Sequence, residues 1–261
     1  MTWSQMQPLL EQACGETLIM VGWSTLISVA LGLPIGVLLV LTDKGGLLQN
    51  GLVNKVIGQI VNVGRSMPFI ILMVALMSFT RWITGTTIGS EAAIVPLAIG
   101  GIPFFARLVE TAVREVDHGL VEAVQAMGGN TWTIVRRVLV PEALPSLIAS
   151  ITTTIVALIG YSAMAGTVGG GGLGDLAVRY GYQRFETGLM WITVAVLAVV
   201  ISLIQFAGDY AARSLHHRGG RQGSGPRLRL LKAKEPAATA ATAATAATAA
   251  TAATADAGKA G

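Results

Sequence analysis

Long apolar runs separated by short polar connections dominate the chain. Five segments approach the roughly 20 apolar residues that a helix needs to cross a bilayer's hydrocarbon core. They cover about 18–41, 56–79, 92–109, 144–168 and 188–208. Asn62, Arg65 and Pro68 interrupt the second, and the third, the shortest, contains Pro96 and Pro103. Internal Pro and Gly are tolerated in such segments because neighbouring helices satisfy the freed backbone groups. The pattern predicts an all-α polytopic membrane protein with five transmembrane helices.

The flanks divide the chain into three parts. Residues 1–16 read as an extracytoplasmic N-terminal segment, an interfacial helix with Trp3 at headgroup level, and 17–213 form the membrane domain. Residues 214–261 are first basic and then repeat Ala-Ala-Thr with a period of three. That period offers no consistent apolar face, so the tail reads as disordered or as a frayed helix. The first sixteen residues carry no Lys or Arg, so the charged region of a cleavable signal is missing.

Charge changes the picture by giving a direction. If the N-terminus lies outside, the inner loops receive Lys44, Lys55, Arg107, Arg114, Arg136 and Arg137, and the outer loops receive Arg81, Arg179 and Arg184. Basic loops stay inside, so the expectation is N-terminus out and C-terminus in. The net charge of +4 is then a matter of orientation rather than of nucleic-acid binding. Only 12% of residues are charged and 52% are hydrophobic, against about 25% charged in a soluble domain.

Residues 110–143 are the largest ordered segment assigned to the inner side, as a helix, a turn and a helix. Leu120–Met127 has helical composition, Gly128-Gly129 supplies a left-handed stop, and Asn130 is a good N-cap. Trp132, Val135, Val138 and Leu139 then share a face, Arg136 and Arg137 suit a helix C-terminus, and Pro141 is expected to break the helix. Pro145 is placed to open the fourth span. By composition alone, such an element could also rest on lipid headgroups.

Candidate chemistry is sparse. Cys14 is the single cysteine, so neither a disulfide framework nor a thiolate metal site is available. The run Gly169–Gly174 lacks the Lys of a phosphate loop and is followed by Asp175, so it reads as a flexible connection after span four. His118, His216 and His217 fall outside the spans and no span holds paired aspartates, which argues against an intramembrane protease. Glu16, Glu91, Glu110 and Asp209 lie at span ends rather than at midplane, which argues against an ion-coupled carrier.

The pattern Glu122-Ala123, Gly128 and Leu139-Val140-Pro141 resembles the EAA signature of type I ABC importer permeases. The blocks Gly64-Arg-Ser-Met-Pro-Phe-Ile-Ile-Leu72, Pro103-Phe-Phe-Ala-Arg107, Gly160-Tyr-Ser-Ala-Met164 and Gln205-Phe-Ala-Gly-Asp209 are similar to the D/L-methionine permeases of that family. The likeness runs from about Glu11 to Arg213. It implies a multi-pass subunit of the bacterial cytoplasmic membrane that imports methionine, L- and D-. A permease of the same fold for another small amino acid or short peptide is the alternative. It also implies a second copy of the chain, two cytoplasmic ABC ATPases and an extracytoplasmic substrate-binding protein, with ATP and Mg held by the ATPases and no cofactor or metal on this chain. Glu122, Ala123, Ala126, Gly128, Asn130, Thr131, Arg136 and Pro141 would couple to the ATPase.

Polar groups inside spans are costly and tend to face interiors. Asn62, Arg65 and Ser66 in span two, and Tyr161, Ser162 and Met164 near the outer end of span four, are therefore pathway or gate candidates. Thr152–Thr154 and Gln205 join them, each with bonding to a helix as the competing reading. For Arg65 a structural ion pair and a place at the inner rim both fit.

Overall fold

The computed structural model describes residues 3–219, with side chains for 4–215. The expected tail lies outside the described residues from 220 onward, as do Met1 and Thr2. Every regular element among the described residues is helical. Four helices are long and apolar enough to span a bilayer, and a fifth span is available if one sharply bent pair counts as one.

Helix α1 runs unbroken over Trp3–Thr42. Its 40 residues extend about 60 Å, twice the thickness of the hydrocarbon core. The polar segment 1–16 is thus no separate interfacial helix: from Trp3 on it is the first part of α1. The second expected span is not one rod either. Helix α2 (Gly51–Ser66) and helix α3 (Phe69–Ala75) meet at 103°. Pro68 has no N–H, and Met67 before it is extended at φ −77 and ψ 128, the conformation that a following proline imposes. Helix α4 (Met77–Thr84) follows after a single residue, Leu76.

Helix α5 (Ser90–Arg114) is the buried strut of the bundle. It reaches beyond the expected 92–109, and Pro96 and Pro103 lie inside it without ending it. Contacts between α1 and α5 advance in the same chain direction, from Ser24 against Ile94 and Ser28 against Ala98 to Gly36 against Val109. The two helices are therefore parallel. Ser24, Ser28, Gly32 and Gly36 repeat every four residues and form a stripe of small side chains on one face of α1. Helices in lipid associate through such close packing, since lipid tails are as apolar as leucine and supply no hydrophobic drive. A Cβ on Gly36 would meet the Ala106 carbonyl at 2.5 Å and Val109 Cβ at 2.6 Å.

Each end of the bundle is tied by polar groups. At one end the Glu110 carboxylate, only 5% exposed, accepts from Arg107 and Arg114 at 2.7 Å each, and Arg114 also reaches Asp43 at 2.7 Å. Charge-assisted bonds to both oxygens compensate a buried carboxylate, and this group fastens the end of α5 to the loop after α1. At the other end Glu16 accepts from the Gly172 N–H at 2.7 Å, and Thr17 Oγ1 from the Leu173 N–H at 2.9 Å. The glycine run is thus an ordered turn held against α1, not the flexible connection expected. Gly171 and Gly172 have φ of +76 and +73, where side chains are strained, and a Cβ on Gly172 would lie 2.6 Å from Thr17 Oγ1. Helix α9 (Gly172–Leu176) continues into a π-helical turn, Ala177–Tyr182, and α10 (Thr187–Gly219) closes the described residues.

The α1–α5 packing predicts an asymmetry between glycines of one helix. Gly36→Ala should destabilise the fold by about 1–3 kcal/mol, the usual cost of overpacking. Gly22→Ala, where a Cβ meets nothing within 4 Å, should not. Unfolding midpoints in detergent check this, and equal midpoints would contradict the packing.

Candidate coupling site

The segment after α5 folds by local rules that its sequence states openly. Asp117 caps helix α6 (His118–Ala126), its Oδ1 accepting from the Gly119 N–H at 2.8 Å. Sequence reading missed this cap and started the helix two residues late, although an Asp before an apolar run is a start signal. At the far end Gly128 takes φ +82, and the Gly129 N–H bonds the Val124 carbonyl at 2.9 Å. That six-to-one closure is the Schellman pattern. Asn130 then caps the next helix, its Oδ1 accepting from the Thr133 N–H at 2.8 Å and from Thr133 Oγ1 at 2.7 Å.

Beyond this cap the structure departs from expectation. Helix α7 (Thr131–Ile134) passes through a π-helical turn, Val135–Leu139, into helix α8 (Val140–Gly166), and the whole of Thr131–Gly166 is one 36-residue rod. Pro141 does not break it. A proline inside an α-helix loses one hydrogen bond and its ring collides with the carbonyl four residues back. Here the Val140 N–H bonds the Val135 carbonyl, five residues back, so the turn is already widened where the proline enters. Arg136 and Arg137 accordingly lie near the start of a long helix, not at a C-terminus, and the expected dipole pairing does not apply. Pro145 sits inside α8 rather than opening it.

The π turn also shifts the angular register. Ile134 and Leu139 are buried, at 1% and 5% exposure, in the cluster with Val37, Phe105, Val109 and Val113, while Trp132 is 69% exposed. The expected face of Trp132, Val135, Val138 and Leu139 is therefore only partly realised, with Val135 and Val138 half-buried beside that cluster. Val121 and Val124 of α6 pack on the same cluster. This leaves Glu122, Ala123, Ala126 and Gly128 exposed on the opposite side, next to Met127, with Asn130, Arg136 and Pro141 also exposed and Thr131 half-exposed. Glu122 borders a cleft of about 530 Å³ between α6 and the loop Asp43–Leu47. Small side chains beside the exposed Met127 make a face on which another surface can approach closely.

The pathway candidates separate into groups. Arg65, at the end of α2, shares a small cavity with Met67, Phe69 and Tyr161 at the 103° bend, and the Phe69 and Tyr161 rings stack at 4.6 Å and 2°. Arg65 is exposed and pairs with no carboxylate among the described residues. The ion-pair reading thus has no partner there. Asn62 and Ser66 are exposed beside it, Ser66 Oγ donating to the Asn62 carbonyl at 2.8 Å. Ser162 is buried and bonds the Ile159 carbonyl at 2.8 Å. Met164, 48% exposed, stands apart toward the glycine turn. Thr152, Thr153 and Thr154 all donate to carbonyls of their own helix, and Gln205 is exposed.

Comparison with known proteins fits this architecture. The family model for the binding-protein-dependent transport system inner membrane component matches residues 23–218. The chain is 53% identical over 210 residues to the probable D-methionine transport system permease protein MetI of Vibrio cholerae, covering 80% of this chain and 93% of that protein. It is 46% identical over 181 residues to the methionine import system permease protein MetP of Bacillus subtilis, covering 69% of this chain and 82% of that protein. A solved structure described as inward-facing conformations of the MetNI methionine ABC transporter matches with a TM-score of 0.80 and 46% identity. The match covers 82% of this chain and 99% of that one. The chain belongs to the family of binding-protein-dependent transport system inner membrane components.

Proposed function

We propose that this chain is the permease subunit of an importer that carries methionine across the cytoplasmic membrane, driven by ATP that a partner ABC ATPase hydrolyses. The observation that carries the reading is the continuous rod from Thr131 to Gly166, which begins at the exposed α6 face and ends at the far side of the bundle. The relatives named for methionine transport support the substrate. The MetNI match supports assembly with an ATPase and with a second copy of the chain.

In this mechanism the ATPases, holding ATP and Mg, seat against Glu122, Ala123, Ala126 and Gly128, with Asn130, Thr131, Arg136 and Pro141 alongside. Nucleotide binding moves that face. A helix of this length transmits displacement over about 54 Å, whereas a loop would absorb it. The far part of the rod carries Tyr161, which stacks on Phe69 at the bend of α2 and α3. Movement of the rod therefore shifts the broken span that holds Asn62, Arg65 and Ser66. Ser162 and Met164 ride on the same helix. The route lies between two copies and switches between two states, biased by nucleotide. The N-terminus faces outward, where an extracytoplasmic binding protein delivers substrate, and the basic loops face the cytoplasm.

Two experiments test this. Glu122→Lys and Gly128→Glu should leave membrane insertion intact yet lower binding-protein-stimulated uptake about tenfold or more, equivalent to at least roughly 1.4 kcal/mol of coupling. Normal stimulated uptake by either variant would remove the coupling role. Reconstitution with ATPase and binding protein should give ATP-dependent uptake of labelled methionine, with histidine and dipeptide carried far more slowly. Preferred uptake of either competitor would leave the coupling mechanism standing and overturn the substrate.

A further inference from the structure

An apolar groove of about 650 Å³ runs between the last part of α1 and the start of the rod. Leu33, Pro34, Val37, Leu38 and Leu41 form one wall, Val135 and Val140 the other, with Trp132 and Arg136 among the lining residues. The exposed α6 residues do not line it, although Thr131 and Arg136 of the coupling segment do, and the proposed function assigns the groove no occupant. Its volume is within the range of sites that hold a small ligand.

We propose that this groove binds one acyl chain of an anionic phospholipid, with its phosphate held by Arg136. Three observations select this occupant. The α1 wall spans Leu33 to Leu41, about 12 Å at helical rise, which suits one leaflet of a core about 30 Å thick. That wall ends just before Thr42, where α1 stops, and Leu48 of the following loop also lines the groove. Arg136 lines the groove, exposed and without a carboxylate partner among the described residues, and Arg137 follows it in the chain. Trp132, 69% exposed, has the amphipathic ring favoured at the headgroup level.

Charge, not apolarity, makes the site selective. A lipid tail gains little by leaving other tails for leucine and valine side chains. Attraction of one cation for an anionic headgroup is worth about a fivefold preference. The groove sets where the chain lies, and Arg136 sets which headgroup stays.

The test is native mass spectrometry of the full chain in detergent micelles, titrated separately with phosphatidylglycerol and phosphatidylethanolamine. Wild-type protein should retain one phosphatidylglycerol per chain, about fivefold more readily than phosphatidylethanolamine. Leu38→Trp, which fills the groove, should lower retention of both lipids about fivefold. Arg136→Gln should lower retention of phosphatidylglycerol more than that of phosphatidylethanolamine, whose ammonium already offsets its phosphate, and so lose the preference. Val135→Phe gives a second way to fill the groove if Leu38→Trp fails to fold. Equal retention of the two lipids by wild-type protein, or unchanged retention in a folded groove-filling variant, would overturn the proposal. Uptake is not the readout, because Arg136 also belongs to the coupling segment.

Discussion

Pro141 has no N–H to offer the turn before it, and an ordinary α-helix would kink or end there. In this chain the preceding turn is already wound with bonds to the fifth residue back, Val140 to Val135, and the helix passes through. The mechanical reading depends on that local accommodation. A break at Pro141 would turn the segment after Asn130 into a tethered fragment beside α8. Without the break, the exposed turn at Gly128 is attached to the root of a rod that reaches the opposite end of the bundle.

The rod needs something to move against, and α5 supplies it. Parallel packing on the small-residue stripe of α1 holds α5 close enough for backbone contact, and the two ends of the bundle are tied by different chemistry. Glu110 gathers Arg107, Arg114 and, through Arg114, Asp43 at one end. Glu16 and Thr17 hold the N–H groups of the glycine turn at the other. Ile134 and Leu139 plug the root of the rod into the core formed by α1 and α5. In the proposed mechanism, displacement of the coupling face is resisted near the root of the rod and expressed farther along, where Tyr161 meets Phe69.

What the sequence revealed and what it hid divide along one physical line, with the Asp117 cap, a local signal passed over, as the exception. Features set by neighbouring residues were legible: the apolar runs, the Gly128 stop and the Asn130 cap each need only a few adjacent positions. Features set by distant partners were misread. Pro68 and Pro141 look alike as punctuation, yet one bends the chain through 103° and the other is absorbed, because only the second follows a widened turn. The glycine run looked loose because its order comes from Glu16 and Thr17, about 156 positions earlier in the chain. Ile134 was passed over in favour of Trp132 because the π turn shifts the phase of the helical face. The stripe Ser24, Ser28, Gly32, Gly36 was readable all along, since small residues at every fourth position signal close helix packing.

Whether the rod is continuous while the transporter works is the point on which the account turns. With Cys14 replaced, spin labels on Arg137 and Thr153 would bracket Pro141 from exposed positions, about 24 Å apart at helical rise. Pulsed electron paramagnetic resonance on complexes assembled from one labelled and one unlabelled copy of the chain should give one narrow distance that stays the same with and without nucleotide. A distance that shifts by several ångströms, or splits in two, would mean that the helix hinges at Pro141 and that motion is not carried through it.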